Sequence, residues 1–123
     1  MKILVAEDDL DQLSLRCLLL ARSGFEALAA TDAASAIELA AEHRPECAVL
    51  DLRLPTEQCG LQLILDLKTL NPAMHVIVLT GGDGRRLAQS SERTLIDAVM
   101  TKGAASTVLI QKLRTVAAGL LAN

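Results

Sequence analysis

Five residues with chemically useful side chains stand just after short apolar runs of this sequence. Glu7 and Asp8 follow Ile3-Leu4-Val5-Ala6, and Asp51 follows Cys47-Ala48-Val49-Leu50. Thr80 follows the run from His75 to Leu79, and Lys102 the run from Ile96 to Met100. Carboxylates packed together repel one another, and burial raises the pKa of at least one unless a cation compensates. A hard divalent cation does so, and Mg²⁺ takes one or two carboxylates while keeping several waters. Asp8 and Asp51 are the expected direct ligands, with Glu7 close by or acting through water. A phosphoryl oxygen would fill a free position on such an ion. Asp51 is then placed to be a nucleophile, because carboxylates form aspartyl phosphates. Lys102 would neutralise charge on the carboxylate and the incoming group, and the Thr80 hydroxyl would donate to a phosphoryl oxygen. Positioning and electrostatics are most of what phosphoryl transfer asks of a protein.

Each residue also has a plainer explanation. One of Glu7, Asp8 and Asp9 can cap the helix that follows, the others favouring its dipole. Lys102 alone would be a solvated lysine, and Thr80 alone a strand-end hydroxyl. Asp51 resists such treatment: between Ala48-Val49-Leu50 and Leu52, an unpaired charge is expensive.

The elements that must position these residues alternate. A short continuous apolar run, as in a strand buried on both faces, falls at residues 3–6, and further strands are expected at 25–30 (a weaker one), 47–50, 75–79 and 96–100. Helical periodicity covers residues 8–22, with Leu10, Leu13, Cys17, Leu18 and Ala21 in phase and Gly24 as the stop. It returns over 33–43, closed by Pro45, and over 61–70, where Leu61, Ile64, Leu65 and Leu67 make an apolar face and Asn71-Pro72 ends it. Pro55 and Gly60 read as punctuation of the intervening loop. A weak polar helix is expected to about Arg93 after the loop from Gly81 to Gly84. An amphipathic helix from Ala105 to Leu121 closes the chain, with Val108, Leu109, Leu113, Val116 and Leu120 on or near one face.

Five strands alternating with five helices predict an α/β fold with a doubly wound parallel sheet, covered on both faces. A barrel would need about twice the length. In such a sheet ligands sit beyond the carboxyl ends of the strands, where the five residues fall. The 123 residues read as one domain, 1–123, without an output domain. Apolar residues make up 51% and aromatics only 1% (Phe25), so aliphatic side chains must build the core. A net charge of −3 argues against non-specific binding to nucleic acid or an anionic membrane. No apolar run reaches the roughly 18 residues that span a bilayer. The acidic start lacks the pattern of a signal peptide, which predicts a cytoplasmic protein. Cys17, Cys47 and Cys59, odd in number and far apart, are expected to be buried or half-buried thiols. His43 and His75 lie at element ends and are expected at the surface.

These residues resemble the receiver domain of two-component response regulators over essentially the full length. The matching pieces are ILVAEDD, AVLDLRLP, VIVLTGG and VMTKG, in that order, together with the spacing from Thr80 to Lys102. The resemblance implies a flavodoxin-like fold, with Glu7 and Asp8 as the acidic pair and Asp8 on Mg²⁺. It implies that Asp51 accepts phosphate from a histidine kinase or phosphotransfer protein and that Arg53 offers its backbone carbonyl to the metal. Thr80 would be the switch hydroxyl and Lys102 the phosphate-binding lysine. The downstream partner would be another protein, and the only catalysis the domain's own phosphorylation and dephosphorylation. Side chains two residues beyond the acceptor and beyond the switch threonine, Arg53 and Gly82, would face the phosphoryl group.

The sequence also departs from the family. The usual aromatic of the fifth strand is replaced by Val99, the preceding Gly-Ala by Leu95-Ile96, and the Pro after the lysine by Gly103. The stretch from Asp51 to Gly60 reads as one residue longer than usual. Chemistry at Asp51 is therefore expected intact, and relay through the fifth strand unorthodox. An alternative is a pseudo-receiver, a protein-binding module that does not switch. A haloacid dehalogenase-type hydrolase would need a second Asp where Arg53 stands. A flavodoxin-like FMN binder would need a phosphate loop and stacking aromatics that the sequence lacks.

Overall fold

The structure is a computed structural model, which describes residues 1–82, 87, 89–103 and 106–121. Five strands, β1 (Lys2–Ala6), β2 (Glu26–Ala30), β3 (Cys47–Asp51), β4 (His75–Thr80) and β5 (Ala98–Thr101), form one parallel sheet in the order β2-β1-β3-β4-β5. The helices are α1 (Leu10–Arg22), α2 (Ala33–His43), α3 (Glu57–Leu70) and α4 (Ser106–Leu121). The order reverses between β1 and β3, so α1 and α4 cover one face of the sheet and α2 and α3 the other. This is the doubly wound fold expected from the alternation.

The continuous apolar runs become strands because both of their faces are covered. Residues alternate along β1 and β3: Leu4, Ala6, Ala48 and Leu50 join the core on the α2/α3 face, Ile3, Val5, Cys47 and Val49 that on the α1/α4 face. The helix ends are marked as expected. Gly24 takes a φ of 92° after α1, and Arg44 takes a left-handed φ of 50° after α2, just ahead of Pro45. Asp9, Asp32 and Thr56 cap α1, α2 and α3 with their side-chain oxygens.

Several boundaries and faces differ from expectation. α3 begins at Glu57, a turn earlier than its apolar period suggested, because Thr56 caps it. Gly60 is consequently inside a helix and buried: a Cβ there would sit 1.9 Å from the Leu52 carbonyl oxygen. Its small size, not a turn, is what the fold uses. α1 buries Leu13 and Leu20, while Leu10 and Leu18 are exposed. With leucine at six of its thirteen positions, apolar periodicity cannot select the face. In α4, Leu109, Leu113 and Val116 are buried, but Val108 and Leu120 are exposed. In α3, Leu63, Ile64 and Leu67 face the core and Leu65 is exposed. Cys47 is buried and Cys17 half-buried as expected, whereas Cys59 is exposed.

The polar helix expected to about Arg93 lies partly outside the described residues. Its described portion contains Leu87, buried in the α2/α3 core, and a 3-10 turn over Ser91–Leu95. β5 is shorter than expected, starting at Ala98, and lies at the edge of the sheet. Asp97 anchors its start: the backbone N–H donates to Val76 O at 2.8 Å, and Oδ2 accepts from Val76 N at 2.7 Å. Lys102 N donates to Thr80 O at 2.9 Å and closes its other end.

Candidate functional site

The carboxyl ends of β1, β3, β4 and β5 lie along one edge of the sheet, and between them they deliver the five residues singled out above, β1 supplying two. β3 carries Asp51 as its last residue, paired in register with Leu79. The side chain is only 5% exposed. Oδ1 accepts from the Arg53 backbone N–H at 3.1 Å, and Oδ2 accepts from Lys102 Nζ at 2.8 Å. Lys102 also reaches Glu7 Oε1 at 3.2 Å, so one ammonium holds two carboxyl groups that are 95 and 51 residues away in the chain.

Glu7 is fully buried, its backbone N–H donating to Ala30 O at 3.0 Å. Burial pushes its carboxyl up to about 7, and a hydrogen bond to Asp51 pushes the same way, with Lys102 opposing. Up to about pH 7, Glu7 is therefore the carboxyl of the pair that keeps its proton. Burial would also push Asp51 up, but hydrogen bonds from Glu7, Lys102 and the Arg53 amide outweigh it and hold Asp51 below the usual carboxylate range. For Lys102, desolvation works against the charge, yet the hydrogen bonds to Asp51 and Glu7 win and its pKa is raised.

Asp8 is exposed beside this pair, and carboxylate oxygens of Glu7, Asp8 and Asp51 lie within 4.8 Å of one another. Asp9, the third acid after β1, serves as the α1 cap: its Oδ1 accepts from Gln12 N at 3.1 Å. Thr80 ends β4 and is 8% exposed. Its Oγ1 accepts from Gly82 N at 3.1 Å, which leaves the hydroxyl proton for another acceptor. A Cβ on Gly82 would lie 3.9 Å from that oxygen, so the glycine keeps this side of the hydroxyl open. The Arg53 side chain is exposed.

The donor set suits a hard divalent cation. All candidate ligands are oxygens, and with Glu7 protonated the pair Asp8 and Asp51 still carries two negative charges against one on Lys102. Deprotonating Glu7 widens that excess.

The structure thus brings Glu7, Asp8, Asp51 and Lys102 together and places Thr80 at the neighbouring strand end. The N–H of Arg53 orients Asp51, a role separate from the carbonyl and side-chain roles expected of that residue. Nothing in a side-chain sequence marks an amide as a donor. His43 and His75 are partly exposed and away from this edge, His75 Nδ1 lying 3.5 Å from Asp97 Oδ1. Val99 is 46% exposed on β5, beside a groove of about 390 Å³ lined in part by Thr80, Ile96 and Thr101.

Comparison with known proteins agrees with this geometry. Residues 3–114 match the model of the response regulator receiver domain. The transcriptional regulatory protein PrrA of Mycobacterium tuberculosis is 35% identical over 79 residues, which are 64% of this chain and 34% of that protein. The chain thus spans about a third of the length of such relatives. The polar-differentiation response regulator DivK of Brucella anthropi is 30% identical over 93 residues, covering 71% of this chain and 75% of DivK. Among solved structures, a CheY-like receiver domain from Methanospirillum hungatei superposes with a TM-score of 0.84 at 24% identity, covering 93% of this chain and 90% of that one. A response regulator from Burkholderia pseudomallei, described with a phosphorylated aspartic acid, a calcium ion and citrate, gives 0.82 at 27% identity, covering 98% and 71%. No helix among the described residues is long and apolar enough to cross a membrane. On its sequence match, its sheet order and its convergent acidic edge, the chain belongs to the response regulator receiver domain family of two-component systems.

Proposed function

We propose that Asp51 accepts a phosphoryl group from a phosphohistidine of a histidine kinase or phosphotransfer protein in the cytoplasm, and that the phosphorylated domain changes its association with a downstream protein. The observation that carries this is the setting of Asp51: a buried carboxyl with Lys102 Nζ at 2.8 Å, the Arg53 amide at 3.1 Å, and the acidic group of Glu7 and Asp8 alongside. An ionised carboxylate is the nucleophilic form. In the transfer, a carboxylate oxygen forms a bond to phosphorus as the phosphorus–nitrogen bond breaks, and the electron pair leaves with the imidazole. Lys102 balances negative charge on the acyl phosphate, and the Thr80 hydroxyl donates to a phosphoryl oxygen. Asp8 and Asp51, the Arg53 carbonyl and Glu7, directly or through water, would hold Mg²⁺. The ion would offset charge on the phosphoryl oxygens. The presence of a phosphorylated aspartate in the Burkholderia relative supports the same role here.

The test is uptake of phosphate from a small phosphodonor, or of beryllofluoride, in Mg²⁺ buffer, read by intact mass and by amide spectra. Wild type should gain one phosphoryl group, and Asp51→Asn none. Incorporation by Asp51→Asn at the wild-type level would refute the acceptor assignment. Uptake without change beyond the residues around Asp51 would instead make the domain a non-switching binding module, as the exchange at Val99 allows.

A further inference from the structure

The three most exposed large apolar side chains among the described residues all belong to α1: Leu10, Leu15 and Leu18, between 49% and 65% exposed. A single exposed leucine is ordinary, whereas neighbours on one helix face make a patch. Leu15 and Leu18, three positions apart, are such neighbours. Asp11 lies one turn before them and Arg22 one turn after, and all four side chains are exposed. Positions 11, 15, 18 and 22 therefore form one lengthwise strip on α1, with steps of four, three and four residues. Neither Asp11 nor Arg22 has a side-chain hydrogen-bond or ion-pair partner among the described residues. Their signs suit the helix dipole, an acid in the first turn and a base in the last. That accounts for each charge alone, not for its register with the two leucines between them.

The steps read the same from either end, but the charge at one end is opposite to that at the other. Such a strip is complementary to itself. Turned end for end about its midpoint, it sets Leu15 against Leu18 of a second copy and Asp11 against Arg22 of that copy. A two-fold axis makes each of these contacts twice, as in the isologous interfaces of dimers. A parallel arrangement would oppose acid to acid and base to base, so the charges select the antiparallel one. One helix laid on another buries less than the roughly 800 Å² per partner of a standard interface, so the association is weak and reversible. We propose that the exposed face of α1 is a homodimer interface, on which a second copy of this chain docks its own α1 antiparallel through Leu15, Leu18 and two Asp11–Arg22 pairs. This does not depend on phosphorylation at Asp51.

The experiment is sedimentation velocity on the full chain from about 20 μM to about 1 mM, in low salt and in about 0.5 M NaCl. Wild type should pass from monomer towards dimer across that range, with threefold or more weaker association in high salt. Leu18→Glu and Asp11→Arg should each weaken the dimer tenfold or more, while circular dichroism stays that of the folded chain. Asp11→Arg combined with Arg22→Asp restores opposite charges across the interface and should recover association to within threefold of wild type. Both of its charges oppose the helix dipole, so the recovery cannot come from a steadier helix. The proposal is overturned if Leu18→Glu dimerises like wild type or if the double variant stays as weak as Asp11→Arg. A chain that remains monomeric throughout would also overturn it, and would leave the face to a different protein.

Discussion

β3 and β5 run parallel in one sheet with a single strand between them, yet the fold treats them oppositely. Every residue of β3 is buried, whereas β5 alternates half-buried and exposed positions and ends at Thr101 on the surface. The acceptor thus sits on the most enclosed strand and its lysine just beyond the least enclosed one. Asp51 is fixed by packing; Lys102 reaches it from an element that only β4 pairs with. A site divided this way holds its nucleophile by packing while tolerating a partly exposed side chain such as Val99 at the edge.

The contrast is most directly broken by truncation. Leu50→Ala, in the middle of the buried core, should lower stability by about 2–5 kcal/mol, measured by urea unfolding. A loss below about 1 kcal/mol would mean that β3 is not the anchor. The next largest effect concerns pH. The folded protein holds the Glu7 proton to about pH 7, whereas an unconstrained glutamate releases it near 4.5. Stability from this proton is complete below about pH 4.5 and lost as pH rises to 7, a decline of a few kcal/mol in metal-free buffer. Asp51 acts in the opposite sense but below its ordinary value of 3.8, outside that window. Glu7→Gln should flatten the decline between pH 5 and 7; an unchanged profile would place the proton elsewhere. Mg²⁺ would compete for the same oxygens, so its affinity should fall about tenfold from pH 8 to 6 in a calorimetric titration.

Gly60→Ala sharpens the account of the loop behind Asp51. Its methyl would meet the Leu52 carbonyl, so a loss of about 1–3 kcal/mol in the same unfolding assay is expected. A neutral result would show that α3 can shift freely. The smallest effects belong to β5. Val99→Ala and Val99→Tyr should each change stability by no more than about 0.5 kcal/mol, because the side chain is nearly half exposed and has a groove beside it. A loss near that of Leu50→Ala would erase the difference between the two strands.

What could be read from the sequence follows the same division. After their first residue, β1, β3 and β4 are short, buried and apolar, and each run is stopped by a polar residue (Glu7, Asp51, Thr80), so both strand and site were legible. Helix faces were less so: of the α1 residues at core spacing, Leu13 is buried but Leu10 and Leu18 are exposed, while Leu20, outside that set, is buried. Where eight of thirteen positions are apolar, only the neighbouring elements decide. Leu87 was hidden in a polar stretch, yet is buried against the α2/α3 core. The role of Gly60 depends on how closely α3 approaches Leu52, a distance between elements that residue type does not encode.

The edge position of β5 has a further consequence, for solubility. Its outer side offers unpaired amides and carbonyls, a template on which a second chain could add a strand. The strand is only four residues long and is bracketed by opposite charges, Asp97 and Lys102, which also serve its register and the acceptor site. Two identical edges approaching antiparallel would set unlike charges together, but a parallel stack would face like with like and be repelled. The residues that tie this strand to its own sheet thus disfavour in-register growth into fibrils.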